Sequence, residues 1–182
     1  MKLLFPILLY LFCGFAYPQN TKNENLAKEY YQQGEFEKSA QLFEDIYKKK
    51  KSKSIYTKYI YSLIKIQSYN KAERVMKSFY KKNSDPTILI DLGELYLMMG
   101  NSESAEKQFE LAINNSKKNT RFLPSVASKF FKSKNYAFSL DAYKLAKKEN
   151  DKASYRIQIA NIYSFLGDVE KMYTELINLL YK

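Results

Sequence analysis

A pattern of about 33 residues recurs five times between residue 20 and the end of the sequence, and a chain with that period has few folds open to it. It is clearest from Pro86 to Lys117. Leu89, Leu92, Leu95, Tyr96 and Met99 recur at three- and four-residue intervals, as do Ala105, Phe109, Ala112 and Ile113 after Gly100. That spacing predicts two amphipathic helices joined at Gly100, where a residue without a Cβ takes a left-handed turn at no steric cost. Asp85 and Pro86 mark the first helical turn, and Asn101 or Ser102 caps the second helix. A single hairpin of this kind cannot bury its apolar face alone, so it needs stacked copies. The copies are present. The small residue of the second helix falls at Ser39, Ala72, Ala105, Ser139 and Met172, at intervals of 33, 33, 34 and 33 residues. The bulky residue of the first helix runs Tyr30, Leu63, Tyr96, Phe130, Tyr163, and that of the second Phe43, Met76, Phe109, Tyr143, Leu176. The repeats lie near residues 20–52, 53–85, 86–119, 120–152 and 153–182. Turn signals are Gly34, Gly100 and Gly167, with Gln67-Ser68 in repeat two and Lys134-Asn135 in repeat four, where Asn135 is expected to take the left-handed conformation. Pro124 delays the start of repeat four to a first helical turn. No linker divides the repeats, and residues 17–182 read as one domain.

Leu92-Gly93, Tyr96, Gly100, Ala105, Phe109 and Ala112 match the L-G-x2-Y then A-x3-F signature of the tetratricopeptide (TPR) repeat, and residues 20–182 resemble that family. The resemblance implies an all-α, right-handed helical-hairpin solenoid of about five repeats. It implies close helix crossing at Gly93 and Ala105, with Tyr96 and Phe109 filling the space beside them. The chain departs from the family in lacking tryptophan and the closing proline, and in carrying Ile60 and Met172 where small residues are usual. In TPR arrays the first helices line a concave groove. The corresponding positions here are Lys28, Tyr31, Gln32, Tyr61, Ile64, Lys65, Glu94, Leu97, Met98, Ser128, Phe131, Lys132, Asn161, Ser164 and Phe165. Aromatic and aliphatic groups interleaved with lysine suit a protein or peptide partner with some acidic residues, although any one of these side chains could instead pack on a neighbouring helix. The two-carboxylate clamp of some TPR chaperone adaptors is not supported, because Glu24 and Ser62 stand where that pattern wants Lys and Asn.

Residues 1–16 begin with Lys2, run apolar from Leu3 to Phe12 and end Gly14-Phe15-Ala16, the pattern of a secretory signal peptide cut after Ala16. The run is broken by Pro6 and short of the roughly 20 apolar residues that span a bilayer. A lipoprotein signal would use Cys13, but bulky Phe12 precedes it where a small residue is expected. Cleavage removes the single cysteine, and the chain has no histidine. No thiol nucleophile, disulfide or His/Cys metal site is then available, and no cofactor or metal is expected. Stability must come from the core, for which 46% hydrophobic residues suffice. The chain is expected to be exported, to the periplasm or to the envelope, where it resembles TPR proteins of Gram-negative bacteria.

The net charge is +11, and clusters of lysine fall at or just after the ends of second helices. Lys48 to Lys51, Lys81-Lys82, Lys117-Lys118 and Lys147-Lys148 fall there, and stacking would line up Lys49, Lys50, Lys81, Lys82, Lys117, Lys118, Lys147 and Lys148 along one edge. Cations at helix C-termini are stabilising in themselves. The same edge would also suit an anionic lipid, an acidic glycan or an acidic protein; nucleic acid is not expected for an exported chain. Catalysis would have to rest on Glu94, with Asp91 one turn behind it, and no pair of carboxylates across a cleft can be assembled. No catalytic residue is assigned, and a non-enzymatic interaction scaffold is expected. The final helix, Val169 to Tyr181, has more apolar residues than one stripe can bury. Tyr173, Ile177, Leu180 and Tyr181 are expected at an open end. They would serve as a homodimer interface, lie flat over their own helix, or be covered by residues beyond 182.

Overall fold

A computed structural model describes residues 19–181; the predicted signal peptide and Cys13 lie outside the described residues. Among these there are ten α-helices and no strand. They are α1 (Gln19–Gln33), α2 (Phe36–Lys49), α3 (Lys53–Lys65), α4 (Tyr69–Asn83), α5 (Thr87–Met98), α6 (Ser102–Lys118), α7 (Leu123–Lys132), α8 (Tyr136–Glu149), α9 (Ala153–Leu166) and α10 (Val169–Leu180). One 3-10 turn, Thr120–Phe122, leads into α7. The helices fall into two compact units, one ending at Ser68 and one beginning at Tyr69.

The repeat is visible first in the backbone. At the turns within the hairpins, left-handed residues occur at Gly34 (φ 78°), Gln67 (55°), Gly100 (76°), Lys134 (62°) and Gly167 (76°), and one more, Ser84 (51°), lies between α4 and α5. The first five keep the sequence period, one per hairpin. After each, the next residue donates its N–H to a carbonyl five positions earlier: Glu35 to Tyr30, Ser68 to Leu63, Asn101 to Tyr96, Asn135 to Phe130 and Asp168 to Tyr163, at 2.8–2.9 Å. The five bulky positions of the odd-numbered helices therefore also supply the carbonyl that ends the helix and turns the chain. In repeat four the left-handed residue is Lys134, not Asn135, whose φ of −81° places it in the N-cap position of α8. Asn101 and Asp168 accept from the N–H of Ser104 (2.9 Å) and Lys171 (3.1 Å), capping α6 and α10. Asp85 receives the Thr87 N–H at 3.0 Å and hydroxyl at 2.7 Å, so the start of α5 is capped from one residue earlier than the helix boundary.

In the first unit, Ser39 on α2 donates to the Ala27 carbonyl of α1 at 3.2 Å, and its hydroxyl lies 3.1 Å from that of Ser62 on α3. Phe43, Ile55, Tyr59 and Leu63 fill the core around this contact. In the second unit, Ser139 repeats the first of these bonds on the Ala127 carbonyl at 2.8 Å, joining α8 to α7. A buried hydroxyl at the small position thus ties the two helices of a hairpin without filling the space they need to approach. Gly93 achieves the approach in repeat three: a Cβ there would lie 2.2 Å from the Phe109 ring. Phe109, Phe130 and Phe138 continue the core with centroids 5.2–5.5 Å apart. Among the described residues no helix is long and apolar enough to cross a membrane.

Candidate partner-binding surfaces

In the first unit, α1, α2 and α3 bring together three rings. Tyr31 lies 5.3 Å from Tyr61 and 6.0 Å from Phe36, and Phe36 lies 5.6 Å from Tyr61. Lys65 stands over the outer face of Tyr61 at 5.2 Å. Burial, followed by the neighbouring Tyr61, raises the Tyr31 hydroxyl pKa above its ordinary value. Lys28, one turn before Tyr31, is held by Glu24 at 2.8 Å, and Ile64 on α3 is half-buried.

The second unit repeats the construction on α7, α8 and α9. Phe131 lies 5.7 Å from Tyr136 and 5.4 Å from Phe165, while Tyr136 and Phe165 stack at 5.0 Å and 14°. Each cluster leaves its last ring open to solvent: Tyr61 is 41% exposed and Phe165 61%. Lys132 and Asn161 are exposed beside it. On α5, Leu97 and Met98 are exposed and Glu94 is half-buried. Asp91 pairs with Lys129, linking α5 to α7 and engaging the acid that stands one turn behind Glu94.

Phe36 and Tyr136 were missed as site residues by the sequence reading, although both open the second helix two residues after a left-handed turn, at equivalent repeat positions. Their distance from Tyr31 and Phe131 in space is set by that turn. Ser62 is fully buried and donates to the Lys58 carbonyl at 2.9 Å, so it presents nothing to a ligand.

The lysine positions divide. Lys49, Lys81, Lys82, Lys117, Lys118 and Lys148 are exposed at helix ends. Lys50 approaches Glu24 at 3.8 Å. Lys147 turns inward, donating to both Glu175 oxygens at 2.7 and 3.0 Å; Arg156 joins the same carboxylate at 3.4 Å and Asp151 at 2.6 Å. That network fastens α10 to α8 and α9. Tyr173, Ile177 and Leu180 on α10, and Tyr181 just after it, are exposed. No group of three or more His, Cys, Asp or Glu that could hold a metal ion occurs among the described residues.

No protein-family model matches the sequence, and no curated protein matches it. Solved structures do match the fold. Structure comparison finds a Podosopora anserina putative kinesin light chain with nearly identical TPR-like repeats, at a TM-score of 0.50 and 12% identity, covering 88% of this chain and 92% of that one. The chain has a TPR-type fold. BtubC (BKLC) from P. vanneervenii matches equally, at a TM-score of 0.50 and 13% identity, over 87% of this chain and 77% of that one. The TPR-type framework accounts for the recurrence of the turn and of the small crossing residue.

Proposed function

We propose that the chain is a non-catalytic scaffold that binds a protein or peptide in the bacterial envelope through the exposed faces of its odd-numbered helices. The observation that carries this reading is the pair of aromatic clusters, Tyr31–Phe36–Tyr61 and Phe131–Tyr136–Phe165. Each is built on the same three successive helices of the repeat, and each leaves one ring outward. Rings locked by their neighbours offer apolar area at little entropic cost, which is what anchors at an interface require. Lys65 and Lys132 beside them favour a partner with acidic residues. The signal peptide expected from the sequence is what favours the envelope, and N-terminal sequencing of the native protein is expected to begin at Tyr17; a chain beginning at Met1 would remove that part of the reading.

The reading is tested by capture from an envelope fraction with the immobilised protein and its variants. Tyr61→Ala with Phe165→Ala is expected to lose the partner while keeping far-UV helicity, since both rings are outward. Lys49→Gln with Lys81→Gln and Lys82→Gln is expected to retain it. The reverse pattern would favour a second reading, binding of anionic lipid or glycan by the lysine edge, for which the exposure of Lys49, Lys81, Lys82, Lys117, Lys118 and Lys148 speaks.

A further inference from the structure

In the second unit, the loops that follow α4, α6 and α8 lie side by side, and an open crevice separates each from the next. The crevice between the first two has a volume of about 330 Å³ and is lined by Tyr80, Asn83, Asn115, Asn119, Arg121 and Phe122 among others. Its neighbour, of about 440 Å³, is lined by Thr120, Arg121, Glu149, Asn150, Lys152 and Tyr155 among others. Arg121 belongs to both walls. Its guanidinium lies 4.7 Å from the Phe122 ring centre, so one face rests on an aromatic surface and the N–H edges remain for a ligand.

The polar groups around it are mostly amides, hydroxyls and cations. Asn115 donates to the Tyr80 hydroxyl at 2.6 Å, which leaves that hydroxyl's own proton free to be donated onward. Lys81-Lys82 and Lys117-Lys118 immediately precede the lining residues Asn83 and Asn119 and are exposed. The carboxylates of the same loops are engaged elsewhere: Asp85 by Thr87, and Asp151 by Arg156. Glu149 is the acid within the lining.

We propose that this row of loops binds an acidic glycan, with Arg121 reading a carboxylate or other oxyanion between the two crevices. The chemistry favours a sugar polymer over a membrane surface. Two recesses of this size receive successive sugar rings, whereas a flat headgroup layer would touch the lysines and leave the recesses empty. Amide and phenol groups pair with hydroxyls, and a guanidinium fork pairs with a carboxylate in two parallel bonds. The inference rests on the lysine-edge reading in needing a basic surface, and departs from it in assigning recognition to Arg121 and the amides. It does not depend on the aromatic clusters.

Calorimetric titration of the purified protein with a hexameric oligogalacturonate, with neutral maltohexaose, and with phosphatidylglycerol-containing vesicles tests it. The acidic hexamer is expected to bind and the neutral one not. Arg121→Gln should weaken binding by about tenfold, the loss of one charge-assisted contact, and Arg121→Lys should recover only part of it. Lys81→Gln with Lys82→Gln should cost less and flatten the salt dependence. Far-UV circular dichroism checks the fold of Arg121→Gln. If it fails, Asn119→Asp, which sets a negative charge in the same crevice, takes its place with the same expected loss. Absence of binding to the acidic hexamer, or unchanged binding by Arg121→Gln, overturns the proposal. Loss in the lysine variant alone, or stronger binding to the vesicles than to the hexamer, also overturns it and returns the edge to a diffuse electrostatic role.

Discussion

Tyr59 shows how much a single buried side chain contributes when it titrates. Burial is the main cause pushing its hydroxyl up to about 12, with the carboxylates of Glu44 and Asp45 adding to the effect, against an ordinary value of 10.0. A raised folded pKa means stability that is complete below pH 10 and is lost as pH rises towards 12, because the unfolded chain releases the proton first. Stability is therefore expected to fall in that window, with ionisation followed by phenolate absorbance. Tyr59→Phe should flatten the pH dependence there; an unchanged profile would contradict the assignment. Gly93 offers a second test of the same kind. Ala is intrinsically better in a helix by about 1 kcal/mol, yet a Cβ here meets the Phe109 ring at 2.2 Å. Gly93→Ala is expected to lower stability by about 1–3 kcal/mol net, the cost of overpacking. Thermal unfolding decides the sign, and Phe109→Leu in the same background should restore part of the loss.

At the level of the helical hairpin, the turn is the unit that repeats most faithfully. Gln67 and Lys134 hold the left-handed conformation that Gly34, Gly100 and Gly167 take freely, and a side chain in that region costs about 1–2 kcal/mol. Lys134→Gly is expected to raise stability by up to about 1 kcal/mol after the greater freedom of glycine in the unfolded chain is set against the relief. Chemical denaturation measures it; a decrease would mean that the Lys134 side chain contributes contacts that outweigh the strain. The hairpins were legible in the sequence because apolar spacing, turn glycines and the small crossing residue all carry the same period. Lys134 rather than Asn135 was not, since the choice between adjacent residues depends on where the closing N–H must reach the Phe130 carbonyl. Nor was the inward turn of Lys147. Lys147-Lys148 ends its helix as Lys81-Lys82 and Lys117-Lys118 do, and Glu175, which draws Lys147 in, lies 28 residues away.

Across the molecule as a whole, among the residues named from sequence for a groove, Tyr61, Leu97, Met98, Lys132 and Phe165 are exposed, while Tyr31, Ile64, Glu94 and Phe131 are half-buried. The clustering was not legible in the sequence. Phe36 and Tyr136 join the helix-face residues only through the geometry of the turn, and Arg121 is placed between two crevices by a 3-10 turn that replaces the start of a helix. The central claim is that a partner contacts the outward rings of the aromatic clusters. Photo-crosslinking in native cells tests it most directly, with benzoyl-phenylalanine replacing Tyr61, Phe165 or, as the reference position, Lys118. The account predicts a covalent adduct with a common partner from positions 61 and 165 and none with that partner from 118. An adduct formed from 118 alone, with none from either ring position, would contradict it.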